Sequence, residues 1–533
     1  MKLTPKRRNN IPQKEKTIPL DGYSLTPQQI YRITHDASVS VVLDATALKR
    51  MKQSRDFLLK SARTQAIYGV NTGFGPMVTH IIGVDQIVEL QYNLLRGHAN
   101  GIGDPIENEY VLAAMVVRLN TLIRGTSGVS KELAQTLCAC INARILPIVP
   151  EHGAVGTSGD LVQLAHIALV VIGEGDVIYK GKRMKASEAL NDAHIQAHTL
   201  GPKEGLSLIN GTSVMSGIAS IVLIRAKRAL SIAIRTGALS FELVNGFTDV
   251  IDPRLHAMRP HPGQEAVARI MRELVRGSKL LSDREKSVRN VPIKSETHVT
   301  DVVLQEVYSI RCIPQVLGPI MDTIRHAEDV ITTEINSTTD NPVVDVEKGR
   351  FLHGGNFHGD YVATAVDQLK AVVIKLTLLS ERRINFFLNK NINKIFPPFL
   401  NLEVPGLTMG LQGLQFVATS TAANSQSLGY PHSLHTISTN GDNQDIVSMG
   451  TDAALFTAKA ISNAFVVLSI ELVTLQQATQ TLNAVDSLSS AGKMLLAGVR
   501  KVFKPIVQDR VMTPELEILR TTLVYDESFD LTY

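Results

Sequence analysis

The sequence predicts a mainly α protein built around a bundle of long helices. Three features carry that prediction. Apolar residues recur at helical spacing through long segments near 213–245, 301–335, 360–390 and 453–485. Hydrophobic residues make up 44% of the 533 and charged residues only 20%, enough for a large core. Period-two alternation is confined to short pieces such as Val177–Lys180 and Pro342–Val346. Helices that are apolar on more than one side need neighbours on several sides, which predicts contacts between copies of the chain as well as a bundle core.

In chain order, the first segment is basic. Lys2, Lys6, Arg7, Arg8, Lys14 and Lys16 outnumber Glu15, and residues 1–20 read as a disordered, solvated tail. The net charge of +4 is small, aromatics are 5% and Trp is absent, so no nucleic-acid surface is expected. No apolar segment follows the basic residues, which argues against a signal peptide. The longest uncharged apolar run, Gly205 to Ile224, includes Ser207, Asn210, Thr212 and Ser213, too polar to span a bilayer. A soluble, cytoplasmic protein is expected. Cys138, Cys140 and Cys312 are too few and too odd in number for a disulfide framework, and Cys138 and Cys140 read as small core residues of a helix rather than as metal ligands.

A YGVNTGFGP run at 68–76 reads as a mobile loop. Between Glu107 and Arg124, Val111, Leu112, Met115, Val116, Leu119 and Leu122 follow one face of a helix. At 153–159 four glycines surround Thr157 and Ser158 before the sequence turns abruptly into an apolar helix that Asp160 is placed to cap. By itself this is a glycine-rich turn, at most an anion site. Residues 282–300 are charged and aperiodic, a surface loop or a lid.

Seven motifs in order give the turn a context: YGVNTGFG (68–75), GTSGDL (156–161), LINGTS (208–213), YSIRCIPQ (308–315), DNP (340–342), NFHGDY (356–361) and NQDIVSMG (443–450). In them the chain resembles, from about residue 20 to 515, the histidine, phenylalanine and tyrosine ammonia-lyases, and within that family bacterial tyrosine ammonia-lyases most. The resemblance implies a fold of the fumarase/aspartase-like superfamily, with a smaller N-terminal domain carrying the prosthetic-group loop. The domains expected are 21–205 with the base loop and the Thr-Ser-Gly triplet, 206–485 as the central bundle, and 486–533 as a C-terminal helical segment.

The resemblance also implies a cofactor made by the chain itself. Thr157, Ser158 and Gly159 would cyclise to 4-methylideneimidazol-5-one (MIO). Ser158 has the β-oxygen whose loss leaves a methylidene carbon, and Gly159 lacks the Cβ that would hinder a tight ring closure. Thr157 stands where the family usually has Ala and contributes only backbone to the ring. An amine must leave while a weakly acidic β-hydrogen is removed, and no ordinary side chain is a strong enough electrophile; a built-in electron sink meets that need.

Other roles carry over by position. Tyr68 would be the base, helped by nearby donors or cations. Arg311 would hold the substrate carboxylate, since a guanidinium matches it bidentately. Asn210 and Tyr308 would bond the electrophile's carbonyl. Gln305 and Asn341 match positions on the carboxylate side, and Phe357 would pack the substrate or the prosthetic ring. The ring-end positions are Gly97 and His98, where histidine lyases resemble Ser-His, tyrosine lyases His-Leu and phenylalanine lyases Phe-Leu. Asn443-Gln444 stands where histidine lyases resemble Gln-Glu. A neutral Gln444 offers an imidazolium no partner, Gly97 leaves volume, and His98 can bond a phenol. Those three points favour L-tyrosine going to trans-4-coumarate and ammonia. The alternatives are a urocanate-forming histidine lyase and an aromatic 2,3-aminomutase, because Asn424 and Asn440 stand where many relatives have Glu and Gln412 replaces a plant-type Lys. The resemblance further implies a homotetramer with shared sites and no metal. A fumarase-type elimination and a non-catalytic scaffold are the competing classes; the Thr-Ser-Gly context argues against the first, and the joint presence of Tyr68, Ser158, Asn210, Tyr308 and Arg311 against the second.

Overall fold

A computed structural model describes residues 16–289, 291–300 and 302–531, and within them the chain is mainly α. Most of the basic tail lies outside the described residues. Its last part does not behave as a tail: Thr17–Leu20 is a strand paired in parallel with Ser40–Leu43, and Ile18 and Leu20 are buried. The alternation of Thr17, Ile18, Pro19 and Leu20 sends two apolar side chains inward, and that burial outweighs the polar sequence before it.

The long helices fall where the periodicity placed them, as Ser213–Leu243, Ile313–Glu334, Asp360–Leu388 and Gly450–Thr481. The second expected segment, 301–335, starts late. Val302–Val307 is irregular and Tyr308–Arg311 is one short helical turn before Ile313. Pro314 sits in the first turn of the long helix, where its missing N–H costs nothing, and that sets the start. The expected strands are present as Asp176–Tyr179, in an antiparallel sheet with Leu146–Pro147 and Lys182–Lys185, and as Val343–Asp345, paired with Arg350–Leu352.

The chain divides into two compact units, each assembled from distant segments. The first holds the described residues up to Ile221 with Val330–Ala363 and His432–Asp452; the second holds Val222–Asp329, Thr364–Pro431 and Ala453 onward. In the first unit the helix Asn108–Leu122 is covered all round, not on the one face its periodicity suggested. Every residue from Tyr110 to Leu122 is buried, Arg118 and Asn120 included. These two polar residues are tolerated because they are hydrogen-bonded: Asn120 Nδ2 donates to Ile335 O at 2.8 Å, and Arg118 donates to the carbonyls of Ser207, Asn210 and Thr339. Cys138 and Cys140 are buried in the helix Lys131–Ala143, and burial pushes their thiols up to about 11 and about 12.

The second unit packs long helices around a buried polar cluster in which Arg383 pairs with Glu471, while Thr236 and Ser380 donate to the same carboxylate. Removing one partner of such a pair costs about 3–5 kcal/mol, since the other charge stays buried. Glu471 belongs to Gly450–Thr481, the one described helix long and apolar enough by composition to cross a membrane. Two-thirds of its apolar window is buried (67%), and Glu471, Gln476 and Gln477 are buried as well, the pattern of a core helix.

Candidate active site

The first unit contains a cavity of about 560 Å³, within the range of small-molecule sites. Its lining includes Tyr68, His98, Thr157, Ser158, Gly159, Asn210, Asn341, Phe357, Asn443 and Gln444, drawn from segments far apart in sequence. Of the residues singled out in the sequence, Gly97, Gln305, Tyr308 and Arg311 do not line it.

The triplet is held by its neighbours. Gly159 has φ +72°, and a Cβ there would lie 2.0 Å from Gly211 O, so only glycine fits. Gly159 bridges Gly211, and Asp160 N donates to Gly211 O at 2.8 Å. Asp160 was expected to cap the helix Leu161–Val171. Its side chain makes no such bond. It accepts instead from Val214 N (2.8 Å), Met215 N (3.0 Å) and Thr451 Oγ1 (2.5 Å), and so caps the helix Ser213–Leu243, whose first N–H groups have no partner within the helix. Burial pushes the Asp160 carboxyl up to about 6, against the pull of those donors and of Arg118. Nearby, Thr212 donates to Glu334, whose carboxyl burial also raises.

The Ser158 hydroxyl is half-buried and accepts from Gln444 Nε2 at 3.0 Å; Thr157, almost fully buried, donates from Oγ1 to Gln444 Oε1 at 2.6 Å. Gln444 is set in place by a tight turn. Thr439 and Gln444 bridge each other, and Asn440, Gly441 and Asp442 between them all have positive φ, a conformation Asn, Gly and Asp tolerate best. The Gln444 amide, expected at the substrate's ring, is engaged by the triplet. A left-handed glycine, a cavity-lining serine whose oxygen is held by a donor, and a pinned backbone around them fit a segment that cyclises to MIO.

Tyr68 begins the glycine-rich loop, which is irregular as expected but pinned along its length. Gly69 N donates to Thr72 Oγ1 (3.1 Å), Gln91 Nε2 to Gly69 O (3.2 Å), and Gly73 N to His80 O (2.9 Å). Gly75 N donates to the Tyr68 phenol oxygen at 3.1 Å. Asn210 donates from Nδ2 to Asn341 O at 3.2 Å, and Asn341 Oδ1 accepts from Gly354 N at 3.0 Å. Behind these two residues lies a fully buried charge cluster. Lys203 pairs with Asp340 at 2.7 Å, and the Arg118 guanidinium holds the carbonyls of Asn210 and Thr339. Burial lowers both cations, Arg118 to about 10. Burial would raise Asp340, but Lys203 and Arg118 outweigh it and hold it below the usual carboxylate range.

His98 ends the helix Ile87–His98, with Nδ1 2.8 Å from Leu94 O. Gly97, one residue and about 100° round the helix, does not line the cavity. Gly97 is exposed, and a Cβ added there meets nothing within 4 Å. Asn440 lines the cavity beside Gly75. Asn424 belongs to the second unit, where it accepts from Asn463 at 2.9 Å. Gln412, also there, opens the helix Gln412–Ser427.

Gln305, Tyr308 and Arg311 form their own cluster in the second unit. Arg311 donates to Gln305 Oε1, its guanidinium lies 4.9 Å from the centre of the Tyr308 ring, and Tyr308 is 71% exposed. The sequence did not single out Phe74, Met77, Leu94, Val155, Leu206, His358 or Asp445 as lining. Phe74 and His358 lie within motifs already recognised, and their proximity was the available signal.

Residues 25–501 match the family described as aromatic amino acid lyase. The chain is 37% identical to the histidine ammonia-lyase of Caldanaerobacter subterraneus subsp. tengcongensis over 496 residues, covering 93% of this chain and 94% of that protein. It is 37% identical to the tyrosine 2,3-aminomutase of Myxococcus fulvus over 504 residues, 92% of this chain and 94% of that one. The crystal structure of the tyrosine aminomutase from Streptomyces globisporus superposes with a TM-score of 0.92 at 34% identity, covering 96% of this chain and 97% of that chain. With the family pattern running through residues 25–501 and relatives aligned over nearly the whole chain, the protein belongs to the aromatic amino acid lyase family.

Proposed function

We propose that the protein deaminates an aromatic L-amino acid without oxidation, preferring L-tyrosine and releasing trans-4-coumarate and ammonia, with MIO formed from Thr157, Ser158 and Gly159. The observation that carries tyrosine is the orientation of His98. Leu94 O can only accept, so Nδ1 carries a proton; a neutral ring with that tautomer has Nε2 as its acceptor, and His98 lines the cavity. A phenol O–H is the matching donor. Phenylalanine would leave that acceptor unpaired, at about 1–3 kcal/mol. Phe74, Met77, Leu94 and Leu206 give the substrate ring apolar walls.

MIO would supply an electron-poor methylidene carbon, the electrophile the reaction needs. The residues around it do the rest. Tyr68 takes the β-proton, and the Gly75 N–H on its oxygen bonds more strongly as negative charge develops there. Asn210 and a second copy's Tyr308 stabilise charge on the carbonyl of the modified triplet, Asn341 and a second copy's Gln305 serve the carboxylate side, Phe357 packs against the substrate, and Asn443 completes the wall. No Lys or Arg is among the described residues lining the cavity, yet an amino acid brings a carboxylate. Arg311 of a second copy meets that need. Exposed Val302, Val303, Leu304, Val307 and Tyr308 beside it support burial against that copy in a homotetramer.

L-Histidine is the second reading, favoured by Asp445, the one carboxylate among the described residues lining the cavity and a partner for an imidazolium. An aminomutase would use the same residues and return the ammonia to the product, and relatives named tyrosine 2,3-aminomutase support keeping that outcome in view. The test is incubation of the purified protein with L-tyrosine, L-histidine and L-phenylalanine separately, with products resolved by chromatography. 4-Coumarate formed with the highest kcat/KM is expected. Urocanate without 4-coumarate would overturn the tyrosine reading, and β-tyrosine as main product would make the enzyme an aminomutase.

A further inference from the structure

We propose that the Thr157 hydroxyl is a positioning group for maturation, acting through Gln444 to aim an N–H at the oxygen that Ser158 must lose. The proposal rests on the reading that the triplet cyclises. Family resemblance assigns Thr157 a backbone role alone, and on that view its side chain is an accident. The geometry points elsewhere. The Thr157 side chain is almost fully buried and its Oγ1 lies 2.6 Å from Gln444 Oε1, a length typical of O–H···O bonds; Gln444 Nε2 lies 3.0 Å from Ser158 Oγ, a length typical of N–H···O bonds. The two ends of the amide therefore have distinct jobs. Its oxygen is anchored by Thr157, and its nitrogen is thereby turned to Ser158. The backbone of Gln444 is fixed independently by its bridge to Thr439, so χ rotation of the side chain is the freedom that Thr157 removes.

The chemistry needs a donor at that point. The Gly159 nitrogen bonds to the Thr157 carbonyl carbon, and the carbonyl oxygen leaves as water with the protons of Gly159 N and Ser158 N. The Ser158 α-proton and the Oγ–H group then leave as a second water while Cα=Cβ forms. No oxidant is required. As the Cβ–O bond breaks, its electron pair goes to Oγ, and an N–H already pointed at that oxygen stabilises the charge. Alanine at position 157 would leave Gln444 Oε1 without its donor and let the amide turn away.

The experiment follows maturation directly by the intact mass of denatured, pulse-labelled protein, which drops by two waters when the triplet closes. Wild type is compared with Thr157→Ser, Thr157→Val, Thr157→Ala and Gln444→Glu, each checked for native circular dichroism. Thr157→Ser should mature at the wild-type rate. Thr157→Val, nearly isosteric, should mature about tenfold more slowly, the worth of roughly one neutral hydrogen bond. Gln444→Glu, which can accept from Thr157 but donates nothing to Ser158, should be slowed at least as much. If the valine variant does not fold, the serine and alanine pair decides: alanine slower than serine supports the proposal, and equal rates overturn it. A folded valine variant maturing at the wild-type rate also overturns it. A wild-type protein that never loses the two waters would overturn the cyclisation itself, a separate result.

Discussion

Replacing His98 with phenylalanine tests the substrate assignment most directly. The Leu94 carbonyl 2.8 Å from Nδ1 fixes both the tautomer and the ring plane, so the substitution removes one defined acceptor and little else. Leaving a polar partner unpaired at a half-buried site costs about 1–3 kcal/mol, and each 1.4 kcal/mol is about tenfold. The ratio of kcat/KM for L-tyrosine over L-phenylalanine should therefore fall roughly 5- to 150-fold, through loss of tyrosine turnover and some gain for phenylalanine. His98→Gln, whose amide oxygen reaches about as far as Nε2, should recover part of the tyrosine preference. Initial rates from the absorbance of 4-coumarate and cinnamate, read on the same preparations, measure the ratio. A ratio within twofold of wild type in His98→Phe would refute the reasoning, because the phenol would then not be recognised at His98.

Three further outcomes are expected. Ser158→Ala should abolish turnover and the two-water mass loss while leaving the thermal midpoint close to wild type, since it gives up one hydrogen bond to Gln444 and almost no volume; turnover within tenfold of wild type would be incompatible with a serine-derived electrophile. Chains carrying Tyr68→Phe and Arg311→Ala, each inactive alone, should regain part of the activity when co-expressed if copies share sites; a mixture no more active than its components would show that they do not. Glu204 is buried, which by itself would raise its carboxyl, but His198, Arg55 and the Ser130 N–H outweigh this and bring it from 4.5 to about 2. A lowered folded value means stability that is present above pH 4.5 and lost as pH falls toward 2, about 3 kcal/mol in all. Glu204→Gln should flatten that part of a stability-versus-pH curve from denaturant titrations, and an unchanged acid limb would count against the assignment.

Local physics made much of this protein legible in the sequence. The long helices follow from apolar spacing over many turns, and the strands near 177–180 and 342–346 from alternation and punctuation. The need for glycine at position 159 could be argued from the chemistry of ring closure before its left-handed φ was seen. The motifs themselves named Tyr68, Ser158 and Asn210, which the fold then gathered around one cavity. Sequence-distant partners were another matter. Periodicity reports which face of a helix is apolar, not what stands opposite it, so Asn108–Leu122 read as one-faced although Ser207, Asn210 and Thr339 provide acceptors for Arg118 on its polar side. Asp160 stands at the start of one helix, but its carboxylate meets the first N–H groups of another, more than fifty residues on, because only tertiary packing brings Val214 and Met215 to it. Gly97 and His98 are neighbours in sequence, and a helix turns them about 100° apart, so that one meets the cavity and the other solvent. Gln444 looked like a substrate contact in a motif; the turn at Asn440–Asp442 delivers its amide to Thr157 and Ser158. A chain records its own local preferences residue by residue, whereas hydrogen-bond partners hundreds of positions apart are chosen by the packing that the whole chain reaches.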